Sequence, residues 1–148
     1  PKDVNGNFVF LSVAIHHQSK KILSWNISTN NDTKLVIDHI SEISFTKPWI
    51  IHSDHGYQYS SQEYKKLVDK INGKISMSRV GNSLDNREVE YFFSILKTEC
   101  LYLNKIKEMT FKELKSLIES FIVKYNNERF QSNLNWKTPQ ETWSALKL

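Results

Sequence analysis

The apolar residues of this chain follow one period in the first half and another in the second. Phe8 to Ile15 is an apolar run broken by Ser12. Lys21 to Ile27 alternates through Ile22, Leu23, Trp25 and Ile27, and Pro48 to His52 is a short run of buried-strand character. Lys74 to Met77 is a candidate fourth strand. Two helices interrupt these strands. One follows the N-cap Asp32 with Leu35, Val36, His39, Ile40 and Ile43 on one face; the other spans Ser61 to Ile71 with Tyr64, Leu67, Val68 and Ile71 inward. From Leu84 the spacing becomes helical. Val89, Phe92, Phe93 and Leu96 lie on one face of a helix running to about Leu101. A second helix, capped by Thr110, carries Phe111, Leu114, Leu117, Ile118, Phe121, Ile122 and Tyr125, with Glu113 placed for a capping box. Residues 126–138 read as a polar loop, and a short helix follows Pro139. Strands first and helices after predict an α/β sheet with helices packed over it.

Asp3-Val4-Asn5-Gly6-Asn7 is a turn, and Asn5-Gly6 is the strongest hairpin dipeptide. A hairpin needs a strand on each side, and only Pro1 and Lys2 precede this one, so a further strand upstream is expected. The 148 residues suit a single domain, and 39% hydrophobic with 24% charged residues is ordinary for a soluble globular chain. A net charge of +4 is a mild basic bias that suits nucleic acid without requiring it. The lone Cys100 excludes an internal disulfide and fits a reducing compartment. No apolar run approaches the roughly 18 residues of a membrane span. The expected location is cytoplasmic, associated with the nucleoid if DNA is the partner. Four glycines, none in a phosphate-loop spacing, disfavour P-loop chemistry.

The run ending at His52 delivers Asp54 to a strand end, in the stretch HSDHGYQYSS. Glu90 lies early on the next long helix, bordering its apolar face, with 35 residues between the two acids. Two hard oxygen ligands suit Mg²⁺ or Mn²⁺. By spacing alone the pair carries little weight: with 16 acids in the chain, the favoured reading is Asp54 as a strand-end turn residue and Glu90 as a solvated helix charge.

The neighbouring residues add a resemblance. HSDHGYQYSS, then SMSRVGNSLDNREVEYFFSILKTE, then YNNERFQSNLNWKTPQE closely resemble the core of bacterial insertion-sequence transposases. These belong to the DDE group related to retroviral integrases. The features that carry the resemblance are Gly81-Asn82, Asp85-Asn86, Glu90-x-Phe92-Phe93, Tyr125-Asn126-x-x-Arg129 and Thr138-Pro139-x-Glu141. FVFLSVAIHHQSKKILSW is similar to the family's second and third strands, so the likeness covers nearly the whole chain, residues 1–148.

The resemblance implies an RNase H-like fold, the retroviral integrase catalytic core, with a mixed sheet flanked by helices. It also implies two-metal phosphoryl transfer with Mg²⁺ or Mn²⁺, in which DNA is cut and its freed 3′ end joined to a target. The expected partners are double-stranded DNA, at transposon ends and target, and further copies of the protein in a homo-oligomer. Asp54 matches the second catalytic acid and Glu90 the third; both are the expected metal ligands. The family's first acid lies on a strand that precedes the hairpin. That strand is missing here, and Asp3 falls in the turn instead. The expectation is therefore a partial core, its C-terminal part, with impaired activity. The alternative is a non-catalytic DNA-binding remnant that associates with full-length transposase. Two smaller departures are His16, where the family usually has an aspartate, and Gln131, where it often has a histidine.

Other residues have two readings each. Lys97 lies seven residues after Glu90, nearly on the same helix face, and is a DNA-backbone contact or a solvated lysine. Arg87 is a weaker candidate for the same contact. Asn82 touches phosphate or caps a helix. Arg129 touches phosphate or ties down a helix end. His55 belongs at the rim of the site, with His52 pointing into the sheet. Zinc is disfavoured, because Cys100 and His39 have no matching spacing with this histidine pair. The four tryptophans are expected to pack in the core and its lid.

Overall fold

The computed structural model describes residues 1–45, 47, 49–53, 59, 61–77 and 87–147. The chain opens on the turn read from Asn5-Gly6. Gly6 takes φ +78, and the Asp3 carboxylate accepts the backbone N–H groups of Asn5 and Asn7 at 2.9 and 3.0 Å. Lys2 bridges Phe8, and the Val9 N–H donates to the Pro1 carbonyl at 2.8 Å. The turn thus closes a hairpin whose first arm is two residues long within this chain.

β1 (Phe10–Ile15) and β2 (Ile22–Ser28) pair antiparallel, with Val13 opposite Trp25 and a bulge between Ala14 and Ile15. α1 (Thr33–Ile40) follows, capped as read by Asp32, whose carboxylate accepts the Leu35 N–H at 3.1 Å. β3 (Trp49–Ser53), α2 (Gln62–Lys70) and β4 (Gly73–Met77) form a β-α-β unit, its strands parallel with His52 opposite Ser76. Among the described residues each strand pair is a two-stranded sheet.

The helical half contains α3 (Arg87–Leu96), α4 (Phe111–Glu128) and α5 (Pro139–Leu146). α3 runs directly into a π-helical turn, Lys97–Leu101, where the Tyr102 N–H reaches back five residues to the Lys97 carbonyl at 2.9 Å. That wider turn points both Cys100 and Leu101 into the core. Thr110 caps α4, its hydroxyl accepting the Glu113 N–H at 3.2 Å. The complete capping box sits instead at Thr138 and Glu141 of α5. α4 also extends through Asn126, Asn127 and Glu128, which read as loop, because Asn126 is engaged with β2 as described below. No helix among the described residues is long and apolar enough to cross a membrane.

Two apolar clusters result. β1 sends Leu11, Val13 and Ile15 toward α3 and α4, into a cluster centred on Phe92, Leu114 and Ile118. Its intervening residues face α1: Ala14 joins the second cluster, built on Val36, Ile40, Tyr64 and Val68 between the two sheets and helices α1 and α2. Ser12 meets His39, which is 1% exposed. The imidazole lies between two hydroxyls, Ser12 Oγ at 2.7 Å from Nε2 and Ser24 Oγ at 2.8 Å from Nδ1. One ring nitrogen donates and the other accepts, so the neutral ring is satisfied and ties β1, β2 and α1 together.

Burial pushes the His39 pKa down to about 4. The unfolded chain, with an ordinary histidine near pH 6.5, therefore binds more protons between those values. Stability from this group is full above that range and falls as pH drops toward 4. We expect it to account for a loss of about 2 kcal/mol between pH 7 and pH 5. Urea titrations at the two pH values check this: His39→Gln should be less stable than wild type at pH 7 but lose less on acidification.

Candidate active site

α3 presents two faces. Phe92, Ile95 and Leu96 are buried, and Phe92 meets the rings of Phe93, Phe121 and Tyr125 at centroid separations of 5.8, 6.0 and 5.3 Å. Glu90, on the first turn, is exposed and makes no hydrogen bond or ion pair among the described residues. Arg87 is exposed at the helix start, and Lys97 is exposed where the π turn begins. Seven residues apart along the helix, Glu90 and Lys97 occupy nearly the same angular position, as expected. Asp54, His55 and Asn82 lie outside the described residues. β3 ends at Ser53, the residue before Asp54. Among the described residues no three His, Cys, Asp or Glu side chains converge on a point that could hold a metal.

Glu88, two residues before Glu90, behaves differently. Its carboxylate is 22% exposed and lies 3.1 Å from Lys20 Nζ and 2.9 Å from His17 Nδ1, both from the β1–β2 turn. Burial would raise its pKa, but its own backbone amide and the Lys20 ammonium outweigh that effect and hold the carboxyl below the usual range. The same turn is held from α4. The Tyr125 hydroxyl donates to the Lys20 carbonyl at 2.7 Å. Asn126 accepts the Ile22 N–H at 2.9 Å and donates to the Ile22 carbonyl at 3.0 Å. Its side-chain amide thereby pairs with β2 as a neighbouring strand would. The motif containing Tyr125 and Asn126 is visible in the sequence. Its role as a clamp on β2, and the participation of Glu88, Lys20 and His17, are not, because the partners are 68 to 105 positions apart.

Arg129 is tied to the helix end. Its guanidinium lies 2.9 Å from Glu99 and reaches the Tyr91 hydroxyl at 3.4 Å, and the Glu99 hydrogen bond raises its already high pKa. A groove of about 420 Å³ between the π turn and α4 is lined by Glu99, Cys100, Leu117, Phe121 and Arg129 and includes none of Arg87, Glu90 and Lys97. Two expectations are corrected. His52 does not point into the sheet: it is exposed and bonds Ser76 Oγ across the strand pair at 3.0 Å. Trp136 does not pack: it is 70% exposed and follows Asn135 in a left-handed backbone pair with φ 55 and 61. Trp143 does act as a latch, edge-on to His16 and Phe45 and beneath the Lys21 ammonium.

Residues 2–83 match the integrase core domain, and residues 72–139 match a second description of an integrase core domain. The chain belongs to the integrase core domain family. Within it the chain is of the insertion-sequence transposase type. It is 35% identical over 144 residues to transposase InsK for insertion sequence element IS150 from Escherichia coli (strain K12), covering 93% of this chain and 50% of that protein. It is 33% identical over 140 residues to the transposase for insertion sequence element IS904 from Lactococcus lactis, covering 90% and 54%. The chain therefore spans about half the length of these relatives. The catalytic core domain of BIV integrase superposes with a TM-score of 0.73 at 17% identity, over 95% of this chain and 89% of that one. A chain of a simian T-cell lymphotropic virus intasome in complex with PP2A regulatory subunit B56 gamma gives 0.73 at 20% identity over 89% and 47%. This integrase core domain therefore has the RNase H-like fold that the sequence resemblance implied.

The Asn126 clamp yields a quantitative expectation. Asn126→Ala leaves the N–H and C=O of Ile22 without their partners and should cost about 2 kcal/mol. Tyr125→Phe, which removes one hydrogen bond and keeps the ring packing, should cost about 1 kcal/mol. Urea denaturation followed by circular dichroism checks both.

Proposed function

We propose that this chain is the catalytic core of an insertion-sequence transposase, acting in DNA transposition by metal-dependent strand cleavage and 3′-end strand transfer. The observation that carries this reading is the exposed, uncommitted carboxylate of Glu90 on a helix whose opposite face is locked into the core, in a chain of the integrase core family. Glu90 offers a hard anionic oxygen with no competing partner among the described residues, which is the donor chemistry Mg²⁺ and Mn²⁺ prefer. Asp54, one residue beyond β3, is the proposed second ligand. Bound divalent ions would activate the attacking hydroxyl and stabilise the leaving oxygen of the phosphodiester.

The remaining roles follow from placement. Lys97 and Arg87 are exposed cations on the helix that carries Glu90, and we assign them to the phosphates of double-stranded DNA. Asn82 and His55 are proposed neighbours of the same site. Arg129 is held by Glu99 and Tyr91, which supports a role in fastening α4 to α3 over a direct DNA contact. The working assembly is proposed to contain several copies of the protein on DNA.

Taken alone, the 148 residues are proposed to be impaired in catalysis. Asp3 is the only acid ahead of β1, and it is 5% exposed with its carboxylate engaged by the turn, which argues against its serving as a further ligand. The same observation favours a second reading, a DNA-binding piece that assembles with complete transposase without cutting.

Incubation of the isolated chain with end-labelled duplex DNA and Mn²⁺ should give no nicking and no strand transfer; metal-dependent product absent from Glu90→Gln would overturn the impairment. Duplex binding should fall with salt, and Lys97→Ala should weaken it and reduce the slope of log K against log salt by about one. An unchanged slope would remove Lys97 from the DNA contact. Glu90→Gln should leave urea stability within about 0.5 kcal/mol of wild type, because among the described residues the carboxylate has no partner in the fold.

A further inference from the structure

We infer that Glu88 is a positioning residue for Glu90: it fastens the first turn of α3 to the β1–β2 turn through Lys20 and His17. The inference rests on the reading of Glu90 as a metal ligand. The first turn of a helix is its least secured part, because its leading N–H groups have no partner within the helix. Here that turn carries Arg87 to Glu90. Among the described residues Glu90 has no contact that fixes its direction, so its placement depends on how firmly the turn is held. Among the described residues, Glu88 is the residue of that turn whose carboxylate is held by another element: Lys20 Nζ lies at 3.1 Å and His17 Nδ1 at 2.9 Å.

The geometry at Lys20 makes the pairing more than a chance surface contact. Lys20 has φ 62, a left-handed conformation that glycine adopts freely and an L-residue adopts at a cost. The turn is built to hold it there. The Lys20 N–H donates to the His16 carbonyl at 2.8 Å, and its own carbonyl accepts from Tyr125 at 2.7 Å. Ser19, 0% exposed, bonds His16 Nδ1 through its hydroxyl at 2.8 Å. Glycine would satisfy the backbone of this turn, whereas the lysine side chain, 20% exposed, is what reaches Glu88. The strained residue is therefore best explained by the contact its side chain makes.

This separates local order from global stability. Lys20→Gly relieves the backbone, so its urea midpoint should be no lower than that of wild type, while amide exchange at Tyr91 and Phe92, whose N–H groups close the first turn, should speed up roughly three- to tenfold. Glu88→Gln should speed the same exchange. Mn²⁺ binding by the whole chain, followed as loss of free-ion paramagnetic resonance, should weaken in both variants. The reversed pair Lys20→Glu with Glu88→Lys should recover affinity and protection toward wild type. Unchanged exchange at Tyr91 and Phe92 in Glu88→Gln overturns the inference. So does faster exchange with unchanged Mn²⁺ affinity, provided Glu90→Gln lowers that affinity. If Glu90→Gln leaves Mn²⁺ binding intact, the reading of Glu90 as a ligand fails, and with it the inference that Glu88 positions one.

Discussion

Phe92 is fully buried where α3 crosses α4, and three aromatic rings close around it: Phe93, Phe121 and Tyr125. Edge-on and tilted arrangements of this kind contribute beyond the area they bury, by about 0.5–1.5 kcal/mol per pair. The consequence for the site is directional. With Phe92 inward, Glu90 two positions earlier turns outward, and its carboxylate is left in solvent. Tyr125 carries the same constraint further, because its ring packs on Phe92 while its hydroxyl reaches the Lys20 carbonyl. One buried aromatic contact thereby aligns the acid-bearing helix, the long helix beneath it and the tip of the β1–β2 hairpin.

Polar groups then supply what apolar packing lacks, a fixed register. The clamp of Asn126 on Ile22 and the pairing of His39 with Ser12 and Ser24 each join elements through hydrogen bonds that permit one alignment. A buried pair of this sort is costly when half-made, since the unpartnered group keeps its desolvation penalty. Sliding β2 by one residue would break both sets at once. The neutral imidazole is the more exposed of the two devices to acid, because protonating it places a charge where water cannot follow.

The acidic residues of α3 divide by the same logic. Glu88 and Glu90 are two positions apart and chemically identical, yet one is bound to Lys20 and His17 and the other is free of partners among the described residues. The hairpin turn lies beside one of them only. The Lys20 ammonium beside it draws Glu88 into structure, and Glu90 is left facing solvent. The π turn that follows performs a related task at the other end of the helix. It advances the chain enough to bury Cys100 and Leu101 together while Lys97 remains outside.

Much of this was legible in the residues. Apolar runs, one alternating stretch and period 3.6 located the four described strands and the main helices; Asp32, Thr110 and Asn5-Gly6 marked their ends as they stand in the structure. These signals are local, carried by neighbours within a turn or a pleat. The acids Asp54 and Glu90 came from a motif; Glu90 reads as bordering the apolar face of its helix, whereas α3 leaves it exposed, with Phe92, Ile95 and Leu96 buried. What could not be read were contacts closed by tertiary packing. Lys20 meets Glu88 across 68 positions, and Asn126 meets Ile22 across 104. Neither has a spacing that any local rule recognises. Trp136 was misjudged for the same reason, since a tryptophan's hydrophobicity predicts burial while the left-handed pair at Asn135 and Trp136 turns it out. The sequence by itself determined which segments become strands and helices and which family they compose, because those depend on short-range periodicity and motif. Only the tertiary structure decided which of two neighbouring glutamates is tied down and which has no partner among the described residues, because that depends on what the fold brings alongside.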